Sequence, residues 1–585
     1  MSGRTAGPEG SAIPASRATA AAIAGALSEA GTRLLFGLPG GGPNLDVVGA
    51  ACDRGIRFVL AHGETAATIM AATYADLTGT PGAVVVTRGP GLASAVNGIA
   101  HAALDHLPLV VIADTVSSHD RERISHQRLD QATLGRSVAK AAVTVAGGRT
   151  GDAEQAPDGA EQTAGLAVRL ALTPPAGPVV VNVDGAPRGL GPAGTGDGDA
   201  VRACPRRDDL APLTAALAKA KRPVMLLGPG ALPHTSAVRA AIAGSGIPVL
   251  HTYRVRGIVP DSWPEAAGLL TGGTMESPLL SAADLIVGLG VDPVELIPAP
   301  WDYSAPTLLV TEDPPGSAAY FTGGAELAAP LPAAIEILAS HRAGNTWPPD
   351  TGRRAKTAVI RELSRTFATG SKRLTPHDVV TVVRAHTPAE TIATVDAGAH
   401  MLVAMPLWPV EEPRRLLISS GLATMGYALP AAIAAALCAP GRPVVAFTGD
   451  GGLGMALMEI ETAVRLRLPI VVVVFNDAAL SLIKIKQRPY GQGGAEAVGY
   501  CRTSFAGVAT AMGAAGVCVT GTAELTAAIT AALGREGPTL IDAHVDPGAY
   551  PAVMDLTRGE TGRRLAPESG ARDTSPPLHP LHAGS

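Results

Sequence analysis

Short, continuous apolar runs recur along the chain, each followed by a stretch of helical character. In the first third they are residues 34–37, 58–60, 82–87, 109–114 and 179–183. The middle third has them at 223–227, 248–250, 284–288 and 307–310, and the last at 391–395, 444–448, 470–475 and 539–543. None alternates apolar and polar residues as a strand with one wet face does. A strand apolar on both sides is covered on both sides, and regular alternation with helices makes its sheet parallel. The pattern predicts an α/β protein with three doubly wound parallel-sheet domains, over residues 15–187, 205–342 and 373–549.

Helices are predicted at 20–30, ahead of the first strand, and at 455–465. Residues 189–200 are rich in Gly and Pro without periodicity and read as a linker. Residues 341–372 form a second connection, with one helix near 358–367. The stretch 147–162 reads as a surface insertion. The first 14 residues and the segment 550–585 are expected to be loose, the latter an extended or disordered tail rich in Pro, Arg, Gly and Ser.

At 585 residues the chain is too long for one core. Hydrophobic residues make up 46% and charged ones 17%, a globular balance. Aromatics reach only 3%, so the cores must be filled by small side chains on closely packed helices. A net charge of -5 provides no field to attract nucleic acid, and a small anionic substrate would need a local positive site. The five cysteines lie far apart without CxxC spacing and read as small core residues in a reducing compartment. The longest purely apolar run, 431–439, is too short to cross a bilayer, and the N-terminus lacks the apolar segment of a signal peptide. The expectation is a cytoplasmic protein with no nucleic-acid or membrane partner.

The segment richest in chemistry is Thr448-Gly449-Asp450-Gly451-Gly452-Leu453-Gly454, with Phe475-Asn476-Asp477 closing the next apolar run. If those two strands are adjacent and parallel, Asp450 and Asp477 share the carboxyl edge, where open α/β sheets bind ligands. Glycines let the backbone approach a phosphate, and a following helix favours its charge. A diphosphate needs a divalent bridge, and Mg²⁺ takes one or two carboxylates beside phosphate oxygens and water. Asp450 alone also fits a helix cap in a plain βαβ turn. Its pairing with Asp477 is what points to a metal.

These residues resemble the cofactor motif of thiamine-diphosphate enzymes, in the group of acetolactate synthase and pyruvate oxidase. The stretch 449–477, with Met458-Glu459-Ile460-Glu461-Thr462, is particularly similar to catabolic acetolactate synthases. The resemblance implies thiamine diphosphate and Mg²⁺, with Asp450, Asp477 and the Ala479 carbonyl as metal ligands and Gly449, Gly451 and Gly452 beside the diphosphate. It extends to Gly421-Leu422-Ala423-Thr424-Met425-Gly426, where main-chain groups of Ala423 and Met425 would meet the aminopyrimidine and the Met425 side chain would bend the cofactor. A methionine there equally fits core filling. Asp396-Ala397-Gly398-Ala399-His400 resembles the diphosphate-side loop, making Gly398 and His400 cofactor contacts, although Ala399 replaces the usual Gln. Leu482 and Ile483 fall where the family walls the thiazolium. Lys486 stands in place of the substrate-selecting tryptophan of biosynthetic acetohydroxyacid synthases. Lys484 and Lys486 are read either as contacts for a second acidic substrate or as a solvated face.

Nearer the N-terminus, Glu64 follows a short strand and opens a helix. An acid in a first helical turn is ordinary on dipole grounds. The family places a glutamate here that hydrogen-bonds the pyrimidine nitrogen N1′, and Glu64 matches it. Gly89-Pro90-Gly91 matches too, with Ser94 for the usual Asn. In His126-Gln127-Arg128, Gln127 matches a catalytic glutamine, while His126 and Arg128 are read as carboxylate contacts or as solvated loop charges. Because the group shares each cofactor between two subunits, a homodimer or homotetramer with interfacial active sites is implied. Asp292-Pro293-Val294-Glu295 stands where FAD-binding synthases carry an Arg-containing loop, so FAD is not expected. The implied reaction is decarboxylation of a small 2-oxo acid, pyruvate foremost, with carboligation to a second carbonyl. Alternatives are a simple 2-oxo acid decarboxylase, a carboligase using another acceptor, and a non-catalytic paralogue.

Overall fold

The structure, a computed structural model, describes residues 15–116, 123–146, 156–184, 210–297, 299–312, 316–341, 344–368, 373–487 and 494–559. Three six-stranded sheets, all of whose pairings are parallel, follow one another along the chain. The first holds β1 (Leu34–Leu38), β2 (Arg57–Leu60), β3 (Gly82–Val86), β4 (Leu109–Thr115), β5 (Ala141–Ala146) and β6 (Pro178–Asp184) in the order β2-β1-β3-β4-β6-β5. The second holds β7 (Pro223–Leu227), β8 (Val249–His251), β9 (Ala266–Leu269), β10 (Leu285–Leu289), β11 (Thr307–Thr311) and β12 (Ala325–Ala328), ordered β12-β11-β10-β7-β8-β9. The third holds β13 (Ile392–Val395), β14 (Leu416–Ile418), β15 (Val444–Gly449), β16 (Ile470–Asn476), β17 (Ala515–Val519) and β18 (Thr539–His544), ordered β14-β13-β15-β16-β18-β17. The first and third sheets thus share one winding, and the middle sheet has another. The three doubly wound parallel sheets stand as the apolar runs foretell.

The same winding gives the outer sheets the same switch point, between β1 and β3 in one and between β13 and β15 in the other. There the chain leaves in opposite directions and opens a crevice at the carboxyl edge. The two outer sheets also share a core. Helix Glu64–Thr78, buried continuously from Ala66 to Ala75, packs on helix Ala428–Cys438, buried from Ala428 to Ala436. A helix apolar all round belongs inside, and alanines on both let the backbones approach closely. This is where the alanine-rich, aromatic-poor composition is used.

Several expectations need correction. The segment from Tyr550 begins as a helix, Tyr550–Arg558, with Pro551 in its first turn and Tyr550, Val553, Met554 and Thr557 buried. That i, i+3, i+4, i+7 spacing binds it to the third core; residues 560–585 lie outside the described ones. The expected insertion at 147–162 contains the start of helix Ala156–Leu172. The helix expected at 455–465 is two, Asp450–Ala456 and Glu459–Arg465. The cysteines do not fill cores: Cys52, Cys501 and Cys518 are exposed and Cys438 is half-buried, while Cys204 lies outside the described residues. Among the described residues no helix is long and apolar enough to cross a membrane.

Candidate active site

Strands β15 and β16 are adjacent and parallel, with Gly449 opposite Phe475, so the residues that follow them emerge together. Asp450 opens its helix at once. Its Oδ1 accepts the Gly451 N–H at 2.7 Å, and its Oδ2 accepts the Ala478 N–H at 2.6 Å. Asp477 accepts the Ser481 hydroxyl. Burial pushes the Asp477 carboxyl up to about 6, and the Asp450 charge adds to the shift. Burial also raises Asp450. No ion pair to a basic side chain compensates either carboxylate among the described residues. Buried Asp450 and half-buried Asp477 lie close enough for the first charge to oppose the second, an opposition that the Lys484 charge offsets only in part, and such a pair could hold a cation.

The turn between them is strained into place. Ala478 has φ 60°, a left-handed conformation that a side chain disfavours. It is held by an isolated antiparallel bridge between Ala479 and Gly499, in which Tyr500 N–H donates to the Ala478 carbonyl and Leu480 N–H to the Val498 carbonyl. The bridge uses the groups on either side of Ala479, so the amide groups of Ala479 itself face away from it.

The opposite lip comes from the loop after β13. Asp396 is buried, accepts the Thr448 hydroxyl at 2.8 Å and the Tyr427 N–H at 3.1 Å, and is pushed up to about 6 by burial. A Cβ on Gly452 would lie 2.4 Å from its Oδ2, so only glycine lets this helix close on the loop. His400 is buried and stacks on Phe475 with ring centroids 5.2 Å apart. Burial lowers its pKa to about 4, which keeps the ring neutral, and its buried Nε2 has no hydrogen-bond partner. Met425 Cε and Leu480 Cδ2 both close on Gly451, where a Cβ would meet them at 3.3 and 2.8 Å. Ala423, with φ 51°, turns the chain towards Met425.

The two lips enclose one cleft of about 590 Å³. Gly398, His400, Ala423, Met425, Gly449, Asp450, Gly451, Gly452, Asp477, Ala479, Leu482 and Ile483 are brought together there from segments far apart in sequence. The far wall went unread in the sequence. The middle domain adds Tyr253, Thr271, Glu295 and Ile297, and the C-terminal helix adds Tyr550, Met554 and Arg558. Tyr550 and its two followers recur every four residues, a helical stripe that could have been found had the tail not been read as extended.

Family models tie this architecture to known proteins. The C-terminal thiamine pyrophosphate-binding domain matches residues 396–543, the N-terminal one 17–134 and the central domain 210–310. The chain belongs to the thiamine pyrophosphate enzymes. It is 30% identical over 547 residues to an acetolactate synthase of Bacillus subtilis (strain 168), covering 89% of this chain and 92% of that one. It is also 30% identical over 562 residues to the catabolic acetolactate synthase of Raoultella terrigena, covering 91% and 96%. Among solved structures, the Rhodococcus jostii RHA1 thiamine diphosphate-dependent 4-hydroxybenzoylformate decarboxylase superposes with a TM-score of 0.73 at 23% identity, over 90% of this chain and 99% of that one. That similarity concerns the fold. The protein is therefore a thiamine-diphosphate-dependent enzyme similar to acetolactate synthases.

In this thiamine pyrophosphate enzyme the other two residues singled out in the sequence stand elsewhere. Glu64 opens its helix after β2, and its Oε1 lies 3.3 Å from where a Gly91 Cβ would be. Gln127, with φ 56°, presses its carbonyl to 2.5 Å from where a Gly89 Cβ would be. Both thus gather at the carboxyl edge of the first sheet. Among the described residues, the first domain contributes none to the 590 Å³ cleft of its own chain. His126 and Arg128 are exposed beside Gln127 and likewise lie outside the cleft.

Proposed function

We propose that this enzyme decarboxylates a 2-oxo acid, pyruvate foremost, and joins the remaining acyl unit to a second carbonyl, as an acetolactate synthase does. Mg²⁺ bound by Asp450, Asp477 and the Ala479 carbonyl would hold the cofactor diphosphate. The observation that carries this reading is the close carboxylate pair, which faces one cleft with a turn whose Ala479 amide groups are free of the adjoining bridge. The partnerless Nε2 of neutral His400 suits a hydrogen bond to a phosphate oxygen, and the Gly449, Gly451 and Gly452 backbone can approach without side chains in the way.

Bound thiamine diphosphate supplies the thiazolium carbon that stores the electron pair left when CO₂ departs. The chain supplies the surroundings. Met425, Leu480, Leu482 and Ile483 form an apolar wall that excludes water. Glu64 holds a proton at pyrimidine N1′, and Gln127 lies close by for the substrate. As these two do not reach the cleft of their own chain, each cleft is completed by a second subunit's first domain. Exposed Leu60, Met455, Met458 and Tyr500 are apolar surface that such a partner would cover.

The test is thermal stabilisation of the purified protein by thiamine diphosphate plus Mg²⁺, followed by a screen of 2-oxo acids for CO₂ release. Labelled pyruvate should appear in acetolactate. Aldehyde as the sole product would replace carboligation by simple decarboxylation, and a protein unmoved by the cofactor would end the enzymatic reading.

A further inference from the structure

The far wall of the cleft carries a guanidinium that has no ion pair among the described residues. Tyr550, Met554 and Arg558 face the cleft as one stripe along the C-terminal helix. Tyr550 marks the aspartate end, since Asp477 and Asp450 join burial in raising its hydroxyl. Eight residues of helix carry Arg558 about 12 Å further along. There its Cζ lies 5.7 Å from the centroid of the Tyr253 ring, and Nη1 donates to the Thr271 carbonyl at 3.4 Å. No ion pair to Arg558 exists among the described residues.

The acids near it are already engaged. Glu276 accepts the Thr271 hydroxyl at 2.9 Å and the N–H groups of Thr271, Gly272 and Gly273. Glu295 accepts the Thr252 hydroxyl and the Arg254 N–H. Arg558 therefore lies against the Tyr253 ring, hydrogen-bonds that tyrosine's hydroxyl and donates to the Thr271 carbonyl. The rest of its planar fork is left for a ligand.

We infer that Arg558 binds the carboxylate of the 2-oxo acid, an assignment that rests on the reaction proposed above. The cleft is charged oppositely at its two ends, with Asp450 and Asp477 at one and Arg558 at the other. An anionic substrate is repelled from the first and gripped by the second, which orients its reacting carbonyl between them. A guanidinium matches a carboxylate through two parallel hydrogen bonds, and the shielded cleft strengthens them. Arg128, the carboxylate contact suggested by the sequence, stands outside the cleft.

Arg558→Gln should raise the KM of the 2-oxo acid that wild type uses best by roughly 10–100-fold, with kcat changed less. The concentration of thiamine diphosphate giving half-maximal thermal stabilisation should stay within about twofold of wild type. Arg558→Lys keeps the charge without the fork and should fall between the two; it also carries the comparison if Arg558→Gln does not fold. Added guanidine at low, non-denaturing concentration should restore part of the Arg558→Gln activity, which a merely structural role would not allow. An unchanged KM overturns the assignment, as does a joint loss of substrate and cofactor affinity that guanidine fails to restore. Wild-type protein that releases CO₂ from no 2-oxo acid refutes the reaction itself, a failure visible before any variant is made.

Discussion

Glu459 Oε1 accepts the backbone N–H of His62 at 3.0 Å, nearly 400 residues away in sequence. The same oxygen accepts the Gly63 N–H at 3.2 Å, while Glu459 Oε2 accepts the Thr462 hydroxyl. His62 and Gly63 immediately precede Glu64. Around them, His62 Nε2 meets Glu461 at 2.7 Å and Arg465 donates to the Leu60 carbonyl at 2.6 Å. One short helix that follows Asp450 thus fixes the loop that presents Glu64. Within a single chain, the segment from Asp450 to Arg465 links the carboxylate pair of the cleft to the loop before Glu64.

Glu459→Ala should therefore lower activity without touching either cofactor end. It leaves two N–H groups without their acceptor, at about 1–3 kcal/mol each if they stay dry, and loosens Glu64. We expect kcat to fall roughly tenfold or more, with Glu459→Gln, which keeps an acceptor oxygen, less affected. Steady-state kinetics on the two variants checks it; equal activities would show that the loop holds its shape unaided.

Asp477→Asn should abolish the stabilisation by thiamine diphosphate and Mg²⁺ yet leave the cofactor-free protein as stable as wild type, or more so. Its carboxyl is pushed up to about 6 because burial and Asp450 oppose its charge, and a neutral isostere removes that opposition. Melting curves with and without cofactor measure both effects.

Glu64→Gln should separate binding from chemistry. In the proposed site the cofactor is gripped at the other end, so its thermal shift should persist. Loss of the proton held at N1′ should cost about 10²–10⁴ in rate. A Glu64→Gln protein with near wild-type turnover would remove the glutamate from the mechanism.

His251 gives the fold an acid sensitivity. It is fully buried, its Nε2 accepts the Val259 N–H at 3.3 Å, and burial lowers its pKa to about 4. The unfolded chain binds this proton near pH 6.5, so its stabilising effect is complete above that value. It is lost as pH falls towards 4, by about 3 kcal/mol at most. His251→Asn should be less stable than wild type at pH 7.5 and should lose less on going to pH 5. Melting temperatures at the two pH values decide it, and parallel losses would assign the sensitivity to other groups.

Central strands were plain in the sequence, and of the edge strands only β2 was. β15, reading Val-Val-Ala-Phe-Thr-Gly, and β16, reading Ile-Val-Val-Val-Val-Phe-Asn, are covered on both faces and so are apolar throughout. β5, β9, β12, β14 and β17 all lie at sheet edges, where one side needs no neighbour. Ala325–Ala328 and Ala515–Val519 accordingly carry residues such as Glu326 and Cys518 that hide the pattern. The helix at Tyr550 was missed for a related reason, because its four buried positions are diluted by the polar residues around them.

What the sequence determined by itself was the local chemistry: glycines where a backbone must come close, acids at the ends of apolar runs, and the covering of every sheet on two faces. Those are properties of neighbouring residues and of burial, which composition and spacing record. Only the tertiary structure decided that Asp450 and Asp477 share a cleft with Tyr253 and Arg558, and that Glu459 holds the loop before Glu64 outside it. Such meetings depend on how strands are ordered and helices packed over hundreds of residues, and no local pattern carries that information.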